Sequence, residues 1–306
     1  MIPDSTTTPA PPPCPIPVIL LHWRNEPAIR EQIVALRTWT LPAQVWVVEN
    51  EPLPDQGPLE QAFHRLRPDH NLGYAGGVNL ALHKVVATGD FVLLMNADVD
   101  ADEATIQKLW QAMQADARLG MIGPLLEETR ADGSSVMYAG GRNPVWHPLT
   151  RKPFQPNAQP GPNRFPVEYT PGTVCLIRCE LLNKVGFLHE PFFFSGELAD
   201  LGWRARQAGY SCQIHPGVRV RHRTAEAGEA RNTLYLYYSL RNRFLLAQRC
   251  YPGRWPLAWL FWTAVGGLMA VKHVARGAWR PARATARALY DGWRKEYGRA
   301  PDGITA

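Results

Sequence analysis

FVLLMNADVD, residues 91–100, is the stretch on which the reading of this chain turns. Phe91, Val92, Leu93, Leu94 and Met95 form an unbroken apolar run of strand length, the pattern of a strand buried on both faces of a sheet. Asn96, Asp98 and Asp100 follow at once, so amide and carboxylate oxygens can converge where the strand ends. Such oxygens suit a hard divalent cation, Mg²⁺ or Mn²⁺, held by one or two carboxylates and completed by water and substrate phosphates. The same residues also suit a plain strand end that caps a helix starting near Glu103. The decamer alone leaves both readings open.

Before it, residues 18–21 read as a strand, 28–38 as a helix, 45–48 as a strand, 59–66 as a short helix and 77–87 as another helix. Strand and helix in alternation predict an α/β fold with a mostly parallel sheet and helices on its faces. Ligands of such sheets bind beyond the carboxyl ends of the strands. Polar clusters stand at three of those ends, in residues 22–26, 49–51 and 96–100. Between strands lies NLGYAGGVN, residues 71–79, where three glycines permit positive φ or close backbone approach. The N–H groups of the helix that follows favour a diphosphate. The spacing is not the dinucleotide fingerprint GxGxxG, and a glycine-rich turn by itself is also an ordinary structural feature.

Length and composition bound the possibilities. A chain of 306 residues, 45% apolar, can bury a large core, and its net charge of +6 favours an anionic partner. The five cysteines are odd in number and lack paired CxxC spacing, which argues against a disulfide framework or structural zinc and fits a reducing cytoplasm. Residues 1–17 carry neither the basic nor the apolar region of a signal peptide, and their proline density suggests an extended lead-in.

The order VWVVEN, NLGYAGGVN, LLMNADVD resembles the nucleotide-sugar half of family 2 glycosyltransferases, which have the GT-A fold. The resemblance implies that Glu49 contacts the nucleotide base, in a position where Asp is more usual. It implies that Asn71, Gly73 and Asn79 lie against the nucleotide, with Asn96 near the donor. Asp98, with Asp100 as a second member, would hold the metal that bridges the donor diphosphate.

Residues 126–169 are rich in Gly, Pro and Arg and read as irregular structure covering the site. Order returns at TPGTVCLIR, residues 170–178, and then at PFFFSGELADLGWRARQAGY. Glu197 and Asp200 sit three apart at the start of a helix over 197–208, near the positive end of its dipole. Phe192, Phe193 and Phe194 can desolvate a carboxylate and raise its pKa, as a general base requires. Helix capping and salt bridges to Arg204 or Arg206 explain the same residues without chemistry. The resemblance matches Glu197, Asp200, Leu201 and Arg204 to the family's acceptor-side pattern, and here the chain departs from it. Leu198 occupies the position of the Asp taken as catalytic base, which leaves Glu197 first and Asp200 second for that role.

His222, in GVRVRHRTAEAG, suits a surface strand among arginines, and the resemblance also places it by the metal or the diphosphate. Residues 233–249 read as an aromatic and apolar helix, and the Arg241–Asn242 pair again resembles bacterial members of the family. Residues 255–271 are 17 residues without a charge, short of the roughly 20 needed to span a bilayer. An interfacial helix is the expectation, supported by Arg276, Arg280, Arg283 and Arg287, which share one face if the segment is helical, although Pro281 interrupts it into two short helices, and which favour anionic headgroups.

The expected organisation is a lead-in over 1–17, a glycosyltransferase domain over 18–228 with donor half 18–125 and acceptor half 126–228, and a basic, apolar helical region over 229–306. The expected activity is inverting, metal-dependent transfer from a nucleoside diphosphate sugar, with rhamnose as the donor guess, to a bacterial glycan or lipid-linked acceptor. It is placed at the inner face of the plasma membrane. A catalytically inactive sugar-nucleotide-binding protein on the same scaffold is the alternative that Leu198 raises. A sugar nucleotidyltransferase should carry a basic, glycine-rich loop near the first strand, and HWRNEPAIR lacks the glycines. Nucleic acid is not an expected partner, since the basic residues gather beside an apolar stretch instead of interleaving with aromatics along a groove.

Overall fold

The computed structural model describes residues 15–54, 56–129, 134–142, 145–146, 151–153, 165–223 and 229–304. Its centre is one mixed sheet. Strands β1 (Ile16–His22), β2 (Ala43–Glu49), β3 (His64–Leu66) and β4 (Phe91–Met95) lie in the order β3-β2-β1-β4 and are all parallel. Every residue of β4 is buried, as its unbroken apolar run requires. The sheet continues through β5 (Val99–Asp100), β6 (Leu119–Thr129), β10 (Val174–Arg178) and β11 (Ser211–His222) in the order β4-β10-β6-β11-β5. Here β10 is antiparallel to both neighbours, while β6 and β11 are parallel. Of the short strands, β7 (Ser135–Gly141) pairs with β6, β8 (Arg151–Pro153) with β7, and β9 (Phe165–Pro166) with β11.

Helices α1 (Glu26–Arg37), α2 (Gly73–Val85), α3 (Glu103–Ala115), α4 (Cys179–Val185) and α5 (Glu197–Gln207) follow the sheet strands. Three longer helices, α6 (Glu229–Cys250), α7 (Trp255–Ala275) and α8 (Trp279–Arg294), pack on one another. Tyr237, Phe244, Trp259 and Ala288 from these three helices share a buried cluster with Ile19, Val78 and Leu198 from the sheet side. Burial of that continuous apolar surface is the main force joining the helices to the sheet.

Several elements differ from the sequence expectation. The short helix expected over 59–66 is a 3₁₀ turn, Gly57–Ala62, followed by edge strand β3, whose pairing with β2 outweighs local helix propensity. Helix α2 begins at Gly73, so Gly76 and Gly77 lie inside it. A Cβ on Gly77 would stand 2.5 Å from Leu21, so this glycine lets the helix press onto β1. Residues 126–169 are less irregular than expected, because β6 runs to Thr129 and carries β7 on its edge. Of that stretch, 130–133, 143–144, 147–150 and 154–164 fall outside the described residues, as do 1–14 of the expected lead-in. The helix after FVLLMNADVD is capped by Asp102, which accepts from the Thr105 N–H at 2.7 Å, and not by Asp98 or Asp100.

Candidate active site

A cavity of about 600 Å³ opens where β1, β2 and β4 end. Trp23, Arg24 and Asn25 line it after β1, Asn50 and Glu51 after β2, and Asn96, Ala97 and Asp98 after β4. The floor is thus the carboxyl edge of the parallel strands, where ligands of such sheets bind. Asn71, Gly73 and Tyr74 form one wall, Phe193 and Phe194 another, and residues 299–304 close a third side with Tyr238.

Asp98 is buried, and the Nε2 of His222 stands 3.3 Å from its Oδ1. The other ring nitrogen, Nδ1, lies 2.8 Å from Glu128 Oε1. A carboxylate on Nδ1 fixes the tautomer and turns Nε2 toward Asp98, the arrangement that second-shell carboxylates impose on metal-binding histidines. One carboxylate oxygen and one imidazole nitrogen suit Mn²⁺ better than the harder Mg²⁺, with the rest of the ligands taken from phosphates and water. Among the described residues, no group of three or more His, Cys, Asp or Glu side chains is placed to hold an ion unaided. Asp100 does not join Asp98; half-exposed, it pairs with Arg223 at 3.3 Å, and Arg223 also holds Glu31 at 2.8 Å.

Glu197 opens α5. Its Oε2 is buried with no hydrogen-bond partner, and burial raises its pKa to about 7. Backbone hydrogen bonds from its own N–H and from Ser195 oppose the rise, and the charge of Asp200 adds to it. Glu197 does not itself line the cavity, but Tyr74 does, and the charge of Glu197 contributes to a raised phenol pKa there, after burial. The turn leading from the cavity wall to Glu197 has positive φ at Phe193 (61°), Ser195 (70°) and Gly196 (105°), an unusual conformation for the two residues that are not glycine. Asn242 holds it by donating from Nδ2 to the carbonyls of Phe192, Phe194 and Ser195, and Arg241 donates to Phe192 O and Gly298 O. The Arg241–Asn242 pair is therefore a backbone clamp. Leu198 is buried in the apolar core, packed beside Gly172, and offers no proton acceptor.

Other sequence candidates stand elsewhere. Asp200 is completely buried and held by both Arg204 (2.8 Å) and Arg249, so its oxygens are committed to an ion-pair centre. Arg204 also donates to the carbonyls of Val185, Gly186 and Phe187, which makes it a brace between α4 and α5. Glu49 is buried between Arg65 and Arg67, each at 2.9 Å, while Asn50 and Glu51 face the cavity in its place. Asn79 ties α2 to the loop after α4, bonding Leu188 O and N and Glu190. Asn71 and Gly73 do line the cavity, with Asn71 Oδ1 accepting from Gly73 N at 2.8 Å. The first N–H groups of α2 are not open to a diphosphate, because Tyr74 N and Ala75 N donate to Phe193 O.

The model of the family described as "Glycosyl transferase family 2" matches residues 23–186, just over half of the chain, including the residues that follow β1, β2 and β4 in the cavity floor. The chain belongs to glycosyltransferase family 2. This glycosyltransferase is 26% identical to the N-acetylglucosaminyl-diphospho-decaprenol L-rhamnosyltransferase of Mycobacterium tuberculosis, over 90% of its own length and 98% of that protein's. It is 22% identical to the low-salt glycan biosynthesis hexosyltransferase Agl10 of Haloferax volcanii, over 60% of its own length and 59% of the relative's. Among solved structures, it superposes on the mannosyltransferase PcManGT of Pyrobaculum calidifontis, in complex with GDP-Man and Mn²⁺. The TM-score is 0.53 at 15% identity, with 94% of this chain and 88% of that one covered. GalNAc-T7, with UDP, GalNAc and Mn²⁺, gives 0.54 at 13% identity over 69% of this glycosyltransferase, which spans only 44% of that longer chain. The solved structures show the GT-A-like α/β fold, and membership of family 2 makes the protein a glycosyltransferase.

Sequence reasoning singled out the clusters 49–51 and 71–79, which contain Asn50, Glu51 and Tyr74, and the arginines beside His222, but it missed Glu128 and residues 299–304. Glu128 lies on β6, which was read as irregular, so the strand's reach to His222 left no local signal. The segment 299–304 reaches the cavity only through the packing of the three long helices.

Proposed function

We propose that this glycosyltransferase moves a sugar from a nucleoside diphosphate donor to a hydroxyl of a lipid-linked acceptor, with inversion and with a divalent metal, at the inner face of the plasma membrane. The observation that carries this reading is Asp98 in the cavity wall with His222 Nε2 beside it, at the carboxyl edge of the parallel strands. A bound divalent ion supplies positive charge to the leaving diphosphate. Asp98 and His222 are the residues that would hold it, and Glu128 keeps His222 in the required tautomer.

Glu197 is the base in this reading. A carboxylate with a pKa near 7 is poised to take a proton at neutral pH, and its Oε2 has no competing donor. Asp200 is tied to two arginines and Leu198 is apolar, so neither competes for the role. In this reading the acceptor hydroxyl approaches Glu197 beside Tyr74, which lines the cavity and feels the charge of Glu197. The oxygen then attacks the anomeric carbon as the C–O bond to the diphosphate breaks, and the proton passes to Glu197. One displacement inverts the anomeric centre.

The acceptor class is supported by two features. The Mycobacterium relative's name describes a sugar on a diphospho-decaprenol. In this chain, α7 is long and apolar enough to cross a membrane, and it turns Leu257, Leu260, Leu268 and Val271 outward, each more than 60% exposed. Lys272, Arg276 and Arg280 follow that face, a composition suited to lying in the interface beside anionic lipid. Arg287, expected to share the basic stripe, is instead engaged by Asp291 and Glu296.

The test is a donor panel of nucleoside diphosphate sugars assayed for transfer to polyprenyl-diphosphate-linked sugars, with Mn²⁺ and with EDTA. Metal-dependent transfer with an inverted product supports the reading; transfer unaffected by EDTA, or a retained anomer, defeats it.

A further inference from the structure

Residues 295–304 leave α8 and run back across the cavity as a strap pinned at both ends. Gly298 N donates to Pro191 O at 2.8 Å, and Arg241 donates to Gly298 O at 2.7 Å. Ala300 N donates to the hydroxyl of Tyr238 at 2.7 Å, and Arg283 donates to Gly303 O at 2.6 Å. Ile304 is buried in the main core. A segment fixed at five points presents its side chains in set positions, and residues 299–304 all face the cavity that Asp98 lines.

Three arginines line this cavity, and they are not equivalent. Arg24 is paired with Glu51 at 3.2 Å, with its own N–H on the same carboxylate. Arg223 is held by Glu31 and Asp100. Among the described residues the one carboxylate on Arg299 is Asp302, at 3.4 Å, and the Asp302 side chain is 97% exposed; Tyr238 also feels the charge of Arg299. An ion pair so exposed contributes little, and an incoming phosphate, with several acceptor oxygens and more charge, displaces it. The planar guanidinium fork suits such oxygens better than any other side chain.

We infer that Arg299, carried by the strap of residues 295–304, is a phosphate-binding residue of this cavity. Asp302 serves as the stand-in that holds the guanidinium when no phosphate is present. The inference rests on the proposed function, since it needs a diphosphate in the cavity. The phosphate belongs to the sugar donor or to the polyprenyl diphosphate of the acceptor, and the two sources give different kinetics. Because the strap continues directly from α8, the same helices that meet the lipid also set the position of Arg299.

Calorimetry with UDP, GDP and dTDP in the presence of Mn²⁺ tests this on wild type, R299A, R299K and D302N, with R294A as an exposed control on α8 away from the cavity. Loss of one charge-assisted contact predicts that R299A weakens nucleoside diphosphate binding about tenfold, R299K less, and R294A not at all. D302N frees the guanidinium and should tighten binding, an effect opposite in sign to any loss of structure. If R299A leaves nucleoside diphosphate binding intact but raises KM for a polyprenyl-diphosphate-linked sugar about tenfold, the phosphate is the acceptor's. If R299A changes neither quantity while wild type binds normally, the assignment is overturned and the proposed function stands. If wild type binds no nucleoside diphosphate and no lipid diphosphate, both fall together.

Discussion

His222 bridges two carboxylates, with Nε2 3.3 Å from Asp98 and Nδ1 2.8 Å from Glu128. Asp98 follows β4, His222 ends β11 and Glu128 lies on β6, so three strands of one sheet set the geometry. Removing Glu128 leaves both inner groups in place but frees the imidazole to change tautomer and tilt. E128A is therefore expected to weaken Mn²⁺ binding in the presence of nucleoside diphosphate about 10- to 100-fold, and D98N to abolish it. Electron paramagnetic resonance of free Mn²⁺ measures both, and unchanged binding in D98N rules this residue out as a ligand.

Glu197 carries a stability signature as well as a chemical one. Its folded pKa of about 7 is raised above the ordinary 4.5, so the folded chain holds a proton that the unfolded chain releases. The stabilisation is fully present below pH 4.5 and is lost as pH rises through about 7. The loss is on the order of 3 kcal/mol, at 1.36 kcal/mol per pKa unit. E197Q has no such loss, and urea titrations should find it gaining on wild type between pH 5 and 8. Parallel pH profiles for the two proteins contradict a buried, pKa-shifted carboxylate.

Asp200 is expected to behave differently from Glu197. Its carboxylate is the common partner of Arg204 and Arg249, and D200N leaves those guanidiniums without a counter-charge. The expected cost is about 3 kcal/mol, the low end for a buried pair because Arg249 remains partly exposed. Thermal melts should show a lowered Tm, with turnover of the folded fraction near normal. A turnover collapse at unchanged Tm gives Asp200 the chemical role instead.

The chain from Gly73 to the aromatic turn offers a backbone test. Gly73 has φ of +70°, and a Cβ there would meet Phe193 O at 2.5 Å. G73A pushes on the carbonyl that caps α2 and on the turn leading to Glu197, so it should cost about 1–3 kcal/mol and lower turnover together. Normal activity and stability in G73A mean that the turn is softer than its contacts imply.

Much of this architecture was legible because its signals are local. The apolar run 91–95 and the alternation of strands and helices give the parallel half, and of the residues the ordered motifs single out, Asp98 and Asn71 line the cavity, His222 stands beside Asp98 and Glu197 lies behind the wall. Motif position misled where long-range pairing decides. Glu49 matches a base-contacting position but is absorbed by Arg65 and Arg67, and Asp200 and Arg204 fit the acceptor pattern but brace α5. The glycines of 71–79 read as a phosphate turn, whereas Gly76 and Gly77 lie inside α2 and Gly77 serves helix–sheet approach. No periodicity marks residues 299–304 as cavity wall, since a strap anchored by Arg241, Tyr238 and Arg283 depends on contacts 20 or more residues away.

The outward face of α7 makes a prediction about lipid. Leu268 and Val271 are 73% and 67% exposed, so L268E and V271E together should cost little folding stability. The same double variant should lose most of its binding to anionic vesicles, because it removes two apolar side chains from the lipid-facing surface and adds two repelled charges. Vesicle sedimentation at low and physiological salt measures this. Equal sedimentation of variant and wild type assigns that face to something other than lipid.

The most direct measurement is the rate of sugar transfer, with Mn²⁺ and saturating donor, across pH 5 to 9 for wild type and E197Q. Wild-type turnover is expected to rise through about pH 7 as Glu197 loses its proton. E197Q should be slower by roughly 100- to 10,000-fold, with that limb of the profile gone and nucleoside diphosphate affinity unchanged. Wild-type turnover from E197Q, with the same dependence on pH, contradicts Glu197 as the base.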